Sequence, residues 1–207
     1  MKYFTKTLSA VAAITTLSVS GLAFATIPTG STVSDMTVTD SNGKTHNLSD
    51  FKGKTVVLEW TNDGCPYVQK HYQTENMQNL QKSATNDGDT VWLSVISSAP
   101  GKQGYVSGDE ANTLVAKYDA APTAVVLDPE GTMGKAFNAR TTPHMYIIDP
   151  EQTLVYQGAI DDNRSANKAT VEGAKNYVAA ALADLEAGRP VAEAETAPYG
   201  CSVKYKS

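Results

Sequence analysis

Short runs of β-branched and large apolar residues alternate with helical patterns along most of this 207-residue chain. The runs are too short for helices and too apolar for exposed strands, which is typical of strands buried on both faces of a sheet. Segments with apolar residues at helical spacing separate or follow them. The predicted strands lie at 55–60, 90–96, 123–127, 145–149 and 153–156. The predicted helices lie at 66–82, 109–118, 132–137 and 167–187.

A β-hairpin is predicted ahead of the first buried strand. Residues 37–45 contain Asn42-Gly43, the dipeptide most typical of a two-residue hairpin turn. Strands and helices then alternate, and the last two strands are close enough in sequence to pair antiparallel. This order predicts an α/β fold with an N-terminal β-hairpin and a mixed β-sheet sandwiched by helices.

The first 25 residues have the pattern of a secretory signal peptide. Lys2 and Lys6 precede a run of small and apolar residues that ends in Ala23-Phe24-Ala25, the small-x-small pattern that signal peptidase cleaves. Serines and threonines make this run too polar for a robust membrane span. We therefore expect a signal peptide over 1–25, a domain over 26–190 and a tail over 191–207, in a periplasmic or secreted protein.

Acidic residues outnumber basic ones. Removal of the signal leaves 15 Lys and Arg against 22 Asp and Glu, a net charge of −7. This charge repels nucleic acid and anionic lipid head groups. We expect no nucleic-acid partner, and no membrane association after signal cleavage.

Cys65 is the residue with the clearest chemical potential. It follows a buried strand, and Pro66 occupies the position that proline favours at the start of a helix. Cys65 is thereby placed at the helix N-cap, with its sulfur facing the free amides of Tyr67 and Val68, which favour the thiolate. The alternatives are a buried structural cysteine and one half of a permanent disulfide.

Two segments resemble the thioredoxin-like superfamily, in particular its redoxin or peroxiredoxin-like branch (alkyl hydroperoxide reductase and thiol-specific antioxidant proteins). The first is 48–72, which contains Cys65, and the second is Thr141-Thr142-Pro143 ahead of a predicted strand. The resemblance covers most of 33–187, and the tail over 198–205 is also similar to tails of that group. It implies a thioredoxin-like fold, a cis Thr142–Pro143 bond beside the active sulfur, and thiol redox activity.

The chain departs from the motifs of this superfamily at two places. Oxidoreductases of the fold have two cysteines with two residues between them. Here the position of the second cysteine is occupied by Val68. Peroxidases of the fold place proline seven residues and Thr or Ser three residues before the cysteine, where this chain has Leu58 and Asn62. Asn62 remains a possible hydrogen-bond donor to the sulfur. The other cysteine of the chain, Cys201, is then the natural partner of Cys65.

Three functions follow from these residues. The first is an exported thiol–disulfide oxidoreductase in which Cys65 is the nucleophile, Thr142 and Pro143 shape the cleft, and Cys201 resolves the intermediate. The second is a peroxiredoxin-like hydroperoxide reductase. The third is a non-enzymatic binding module pinned by a structural Cys65–Cys201 disulfide. The expected partners of the first two are a thiol or disulfide protein, a small thiol or a peroxide, and no cofactor is expected.

The histidines give weaker signals. His71 lies six residues after Cys65, so the helical period predicts that it points away from the sulfur and lies at the surface. His144 follows Pro143 and can approach the site. Cysteine and imidazole suit soft metals, but no ligand spacing supports a metal site and none is expected.

Overall fold

The computed structural model describes Met1 and residues 26–206. The predicted signal peptide therefore lies, apart from Met1, outside the described residues. The nine strands of the described residues are β1 (Thr37–Asp40), β2 (Thr45–Asn47), β3 (Thr55–Trp60), β4 (Thr90–Ile96), β5 (Ala124–Leu127), β6 (Thr141–Thr142), β7 (His144–Ile148), β8 (Leu154–Gly158) and β9 (Cys201–Ser202). The five α-helices of the same residues are α1 (Pro66–Tyr72), α2 (Asn76–Thr85), α3 (Gly108–Tyr118), α4 (Thr132–Ala136) and α5 (Tyr177–Glu186). Two 3₁₀ turns cover Leu48–Phe51 and Lys168–Thr170.

Seven strands form one mixed sheet in the order β2-β1-β5-β4-β3-β7-β8. Strand β3 pairs parallel with β4, and β4 pairs parallel with β5. Strand β7 pairs antiparallel with both β3 and β8, and the β1–β2 hairpin extends the other edge of the sheet through β5. The predicted α/β fold with an N-terminal hairpin is confirmed.

The central strands are buried on both faces. Along β3, Leu58 and Trp60 join one apolar cluster, while Val57 joins a second cluster on the opposite face. Helices α1, α2 and α5 cover the second cluster. Val68 is one of the residues that α1 contributes to it. This two-sided burial explains why β3 and β4 have the bounds predicted from their β-branched runs. Strand β3 ends beneath α1, and this junction carries Cys65.

The single helix predicted over 66–82 is wrong, because the structure has two helices there. Glu75, between α1 and α2, adopts a left-handed backbone conformation with φ of 59°. The Gln78 side chain donates to the Tyr72 carbonyl oxygen at 2.8 Å and so satisfies an acceptor at the end of α1. A side-chain contact of this kind replaces the backbone bond that a continuous helix would make.

The long helix predicted over 167–187 is also wrong. Gly173 has a φ of +80°, and the Asn176 side chain accepts a hydrogen bond from the Ala179 amide at 2.9 Å. The glycine interrupts the right-handed path and the asparagine caps a new start. The α-helix therefore begins only at Tyr177.

The predicted tail contains a short strand, β9. It folds back across the domain, and β9 pairs antiparallel with β6, so that Cys201 lies opposite Thr142 and Ser202 lies opposite Thr141. Within residues 26–206, no helix combines the length and the apolar character that a membrane crossing requires.

Candidate functional site

Cys65 occupies the N-cap of α1, as predicted, and Pro66 is the first helical residue. The Cys65 carbonyl oxygen accepts hydrogen bonds from the amides of Val68 at 3.0 Å and Gln69 at 2.9 Å. The side chain makes no capping hydrogen bond to the helix. The sulfur instead donates to the Thr142 carbonyl oxygen at 3.1 Å. The helix start positions the thiol, and the strand opposite provides its closest partner.

Asn62 shapes the loop ahead of the cysteine. It is 1 % exposed, its carbonyl oxygen accepts from the Cys65 amide at 3.0 Å, and its side-chain oxygen accepts from the Gly64 amide at 3.0 Å. Its side-chain amide donates to the Gln103 side-chain oxygen at 3.0 Å, not to the sulfur. Gly104 is tightly placed beside it, because an added Cβ would stand 2.4 Å from the Asn62 side chain. Asn62 therefore fixes the loop rather than solvating the thiol.

The Thr142–Pro143 peptide bond is cis, as the resemblance implies. Thr142 is 2 % exposed, and its side-chain hydroxyl donates to the Cys201 carbonyl oxygen at 3.5 Å. Thr142 thus contacts Cys65 through its carbonyl and Cys201 through its hydroxyl. One residue of β6 holds both cysteines.

Gly200 brings the tail against this cis peptide. A Cβ added to Gly200 would stand 2.0 Å from the Thr142 carbonyl oxygen and 3.4 Å from the Pro143 nitrogen. Its φ of +130° is also a conformation that side chains disfavour. Glycine is required at this position for Cys201 to reach the site.

The structure brings Cys65 and Cys201 close together as free thiols, because Cys201 pairs with Thr142, whose carbonyl oxygen accepts from the Cys65 sulfur. Cys65 is 0 % exposed, whereas Cys201 is partly exposed. Burial by itself raises the pKa of the Cys65 thiol, but the nearby Cys201 and Thr142 side chains and the Val68 amide favour the thiolate and outweigh it. The pKa of Cys65 therefore lies below its ordinary value.

Cys201 shifts in the opposite direction. Burial, the hydrogen bond with Cys65 and the negative charge that Cys65 acquires raise the pKa of Cys201 to about 11. The pKa values of the two thiols therefore shift in opposite directions, and Cys65 is the thiol that loses its proton more readily. Such a pair is poised to lose two electrons and form a disulfide.

A buried polar cluster anchors the tail next to the cysteines. Tyr199 donates its hydroxyl to the Asp161 carboxylate, and Lys70 donates to the same carboxylate at 3.2 Å and to the Asn163 carbonyl oxygen at 2.9 Å. Lys70 and His71 are 0 % exposed, and Asp161 and Tyr199 are nearly so. The sequence analysis missed this cluster, whose only local signal is the aromatic-Gly-Cys triplet at 199–201.

The surface position predicted for His71 is wrong. Its Nε2 lies 3.3 Å from the Tyr199 hydroxyl, and its Nδ1 lies 2.8 Å from the Asn76 side-chain nitrogen. Burial lowers the pKa of His71 to about 4, with the Lys70 charge acting in the same direction and Asp161 opposing it. The ring is buried because Tyr199 of the tail lies against it.

A family model of redoxins matches residues 28–177. The chain belongs to the redoxin family. A curated relative is the thiol-disulfide oxidoreductase ResA of Bacillus subtilis, which is 28 % identical over 142 residues, covering 61 % of this chain and 79 % of ResA. The thioredoxin-like fold expected from the resemblance is confirmed.

Two solved structures are similar over most of this redoxin. An uncharacterized conserved protein from Geobacillus kaustophilus is 27 % identical, with a TM-score of 0.74, over 87 % of this chain and 93 % of its own. A hypothetical protein from Sinorhizobium meliloti is 20 % identical, with a TM-score of 0.71, over 88 % of this chain and 97 % of its own. Both similarities extend across nearly the whole described fold.

His144 of this redoxin is engaged away from the sulfur. It is 3 % exposed, and its Nδ1 lies 3.3 Å from the Arg140 amide nitrogen and 3.1 Å from the Tyr146 hydroxyl. Burial lowers the pKa of His144 to about 3, and the Arg140 charge acts in the same direction. Among the residues that the structure describes, no group of three or more His, Cys, Asp or Glu is arranged to hold a metal ion.

Glu59 is a second buried group that the sequence analysis missed. This β3 residue is 0 % exposed and accepts hydrogen bonds from Tyr72 at 2.8 Å, Trp92 at 2.9 Å, Ser94 at 3.0 Å and Gln81 at 3.1 Å. Burial raises the pKa of Glu59 above its ordinary value, although these hydrogen bonds act in the opposite direction. The acid ties β3 to β4 and α2 beneath the cysteine-bearing loop.

Proposed function

We propose that this redoxin is an exported thiol–disulfide oxidoreductase in which Cys65 and Cys201 form and break a reversible disulfide. The observation that carries the proposal is that both free thiols lie against Thr142, beside the cis Thr142–Pro143 peptide, with their pKa values shifted in opposite directions. The relative ResA is a thiol-disulfide oxidoreductase, which supports the same chemistry.

The reaction exchanges two electrons and two protons with a partner. In one direction, the two thiols of the protein reduce a partner disulfide to two thiols and become a Cys65–Cys201 disulfide. In the other direction, two partner thiols are oxidised and the protein disulfide is reduced. No further cofactor is needed, because each step is a thiolate attack on a disulfide sulfur.

Cys201 is the second cysteine of the proposed disulfide, in place of a cysteine at position 68. Val68 is 2 % exposed and packs in the apolar cluster that contains Cys65. The second thiol comes instead from the tail, through the β6–β9 pairing. This arrangement favours the oxidoreductase over a peroxidase, because the Asn62 amide that would assist a peroxide is already bonded to Gln103.

The partners of this chemistry are protein thiols and disulfides outside the cytoplasm. The signal pattern over 1–25 supports export. In an oxidising compartment a cysteine pair of this kind is maintained either as a disulfide or by a dedicated reductant.

The test is an equilibrium of the exported protein with mixtures of reduced and oxidised glutathione. Thiols are blocked with N-ethylmaleimide at each mixture, and intact mass counts them. We expect Cys65 and Cys201 to lose their thiols together and to regain them on reduction, and the Cys65→Ser and Cys201→Ser variants to form no internal disulfide. A bond that resists mild thiol reductants would instead identify a structural disulfide, and sulfenic acid on Cys65 with rapid peroxide consumption would identify a peroxidase.

A further inference from the structure

We propose that external partners exchange disulfide bonds with the sulfur of Cys201. Cys65 exchanges only with Cys201, within the protein. This inference rests on the proposed oxidoreductase function and assigns which sulfur faces the partner. Thiol–disulfide exchange requires the attacking sulfur to reach its target directly, so access selects the site of attack. Cys65 is 0 % exposed and Cys201 is partly exposed.

The tail that covers Cys65 is held on both sides of Cys201. On one side, Tyr199 is bonded to the buried Asp161 carboxylate. On the other side, the Val203 amide donates to the Arg140 carbonyl oxygen at 3.0 Å. Moving the tail off Cys65 would break both contacts. Cys201 is partly exposed while the tail stays in place.

The contacts of the tail continue beyond β9. The Ala99 amide donates to the Lys204 carbonyl oxygen at 2.9 Å, and the Tyr205 hydroxyl donates to the Ala139 carbonyl oxygen at 2.7 Å. The Tyr205 ring also packs where a Cβ on Gly131 or Gly134 would stand. The cover over Cys65 is therefore a bound segment and not a loose flap.

The Cys65 side chain is also enclosed by the apolar core. It belongs to the apolar cluster between the sheet and helices α1, α2 and α5, together with Val57, Val68 and Ile147. The same side of the residue contacts Thr142. With Cys65 buried and Cys201 partly exposed, a partner sulfur meets Cys201 first.

The steps balance for oxidation of two partner thiols. A partner thiolate attacks the Cys201 sulfur of the Cys65–Cys201 disulfide, the S–S bond breaks, and the electron pair leaves on Cys65 as a thiolate. A second partner thiolate then attacks the partner sulfur of the mixed disulfide, releasing a partner disulfide and a Cys201 thiolate that takes up a proton. The reverse sequence reduces a partner disulfide.

The chemistry of the leaving groups agrees with the direction of attack. A thiol of lower pKa leaves faster from a disulfide. The pKa of Cys65 lies below its ordinary value, while that of Cys201 is raised to about 11. Attack on Cys201 expels the better leaving group, and attack on Cys65 would expel the poorer one.

The experiment compares the two reduced single variants, Cys65→Ser and Cys201→Ser, in excess oxidised glutathione. Intact mass follows the glutathione adduct with time. We expect Cys201 in Cys65→Ser to be modified more than about tenfold faster than Cys65 in Cys201→Ser, because burial outweighs the lower pKa of Cys65. In concentrated urea, where neither sulfur is covered, the two rates should converge.

A second arm uses the oxidised wild-type protein. It is mixed with reduced glutathione and quenched with acid, and the adduct is located by peptide mass mapping. Glutathione on Cys201 supports the proposal, and glutathione on Cys65, or faster modification of the Cys201→Ser variant in native buffer, overturns it. An adduct on Cys65 together with a reversible disulfide would leave the proposed function intact, whereas a protein that forms no reversible disulfide would overturn the proposed function itself.

Discussion

The Tyr199 hydroxyl donates to the buried Asp161 carboxylate, and this one contact joins the C-terminal tail to the loop that follows β8. Lys70 of α1 shares the same carboxylate. Because Cys65 begins α1 and Cys201 lies two residues after Tyr199, the cluster sets the distance between the two thiols from both sides. The geometry of the cysteine pair therefore depends on charged groups that never touch a sulfur.

Replacing Tyr199 by Phe removes only the hydroxyl of this contact. We expect the free energy of unfolding to fall by about 1–3 kcal/mol, because a buried carboxylate loses a donor. We also expect the Cys65–Cys201 disulfide to become easier to reduce in glutathione mixtures, because Cys201 is held less firmly. Urea unfolding and the glutathione equilibrium measure the two effects.

The matched control for this variant is Tyr105→Phe. Tyr105 is 42 % exposed, so its loss of a hydroxyl should change stability by less than about 0.5 kcal/mol. Equal effects of the two variants would contradict the anchoring role of Tyr199.

Replacing Gly200 by Ala forces the tail away from the Thr142–Pro143 peptide. The added Cβ would stand 2.0 Å from the Thr142 carbonyl oxygen, which is backbone and does not yield easily. We expect faster alkylation of Cys65 by N-ethylmaleimide in the reduced variant, because its cover is displaced. Gly30→Ala is the control, since Gly30 also has positive φ but its Cβ would meet open space. Unchanged protection of Cys65 in Gly200→Ala would argue against the close packing of the tail.

The ionisation of Cys65 should depend on the donor at position 201. A hydroxyl can replace the Cys201 thiol as a donor to the Cys65 thiolate, whereas a methyl group cannot. We therefore expect the pKa of Cys65 to be higher in Cys201→Ala than in Cys201→Ser. The pH dependence of thiolate absorbance measures it. The opposite order would show that the hydrogen bond from position 201 does not stabilise the thiolate.

Stability should fall in mild acid because His71 is buried in its neutral form. Its pKa is about 4 in the folded protein and 6.5 in its ordinary state, so the unfolded chain binds more protons between these values. The stability is present above pH 6.5 and is lost as the pH falls towards 4, by roughly 2–3 kcal/mol for this group. Urea unfolding at a series of pH values measures the free energy of unfolding. We expect this free energy to depend less steeply on pH in His71→Gln than in the wild-type protein. An identical slope would assign the acid sensitivity to other groups, such as His144.

Cleavage of the exported chain is expected after Ala25. The protein recovered from the exported fraction should have the intact mass of a chain that begins at Thr26. Ala25→Leu should leave the precursor uncut, because a large residue at this position is not accepted by signal peptidase. A mature chain that retains residues 1–25 would contradict the export prediction.

Local patterns predicted much of the scaffold. The bounds of β3 and β4 follow from β-branched runs buried on both faces, and the start of α1 follows from Cys65-Pro66. These features depend on neighbours in sequence. The cis Thr142–Pro143 bond came from family resemblance, because the dipeptide alone does not select the cis form.

The features that sequence reasoning missed depend on distant partners. The helical period placed His71 at the surface, but nothing nearby in the sequence shows that Tyr199 of the tail covers it. By sequence Asn62 is a possible donor to the sulfur, but its side-chain amide donates to Gln103, an acceptor 41 residues away that no local pattern reveals. Local sequence patterns do not show contacts with residues that are distant in the sequence.

The pairing of β6 with β9 also links the redox state of the protein to its folding. Cys65 and Cys201 are 136 positions apart, so the proposed disulfide between them would close a loop that contains most of the domain. In the chain-entropy model, closure of such a loop stabilises the folded state by about 5 kcal/mol. A thermodynamic cycle requires the same free energy to favour the disulfide in the folded chain over the unfolded one, which corresponds to about 100 mV in reduction potential. Any substitution that loosens the fold selectively in the oxidised state will make this protein a stronger oxidant.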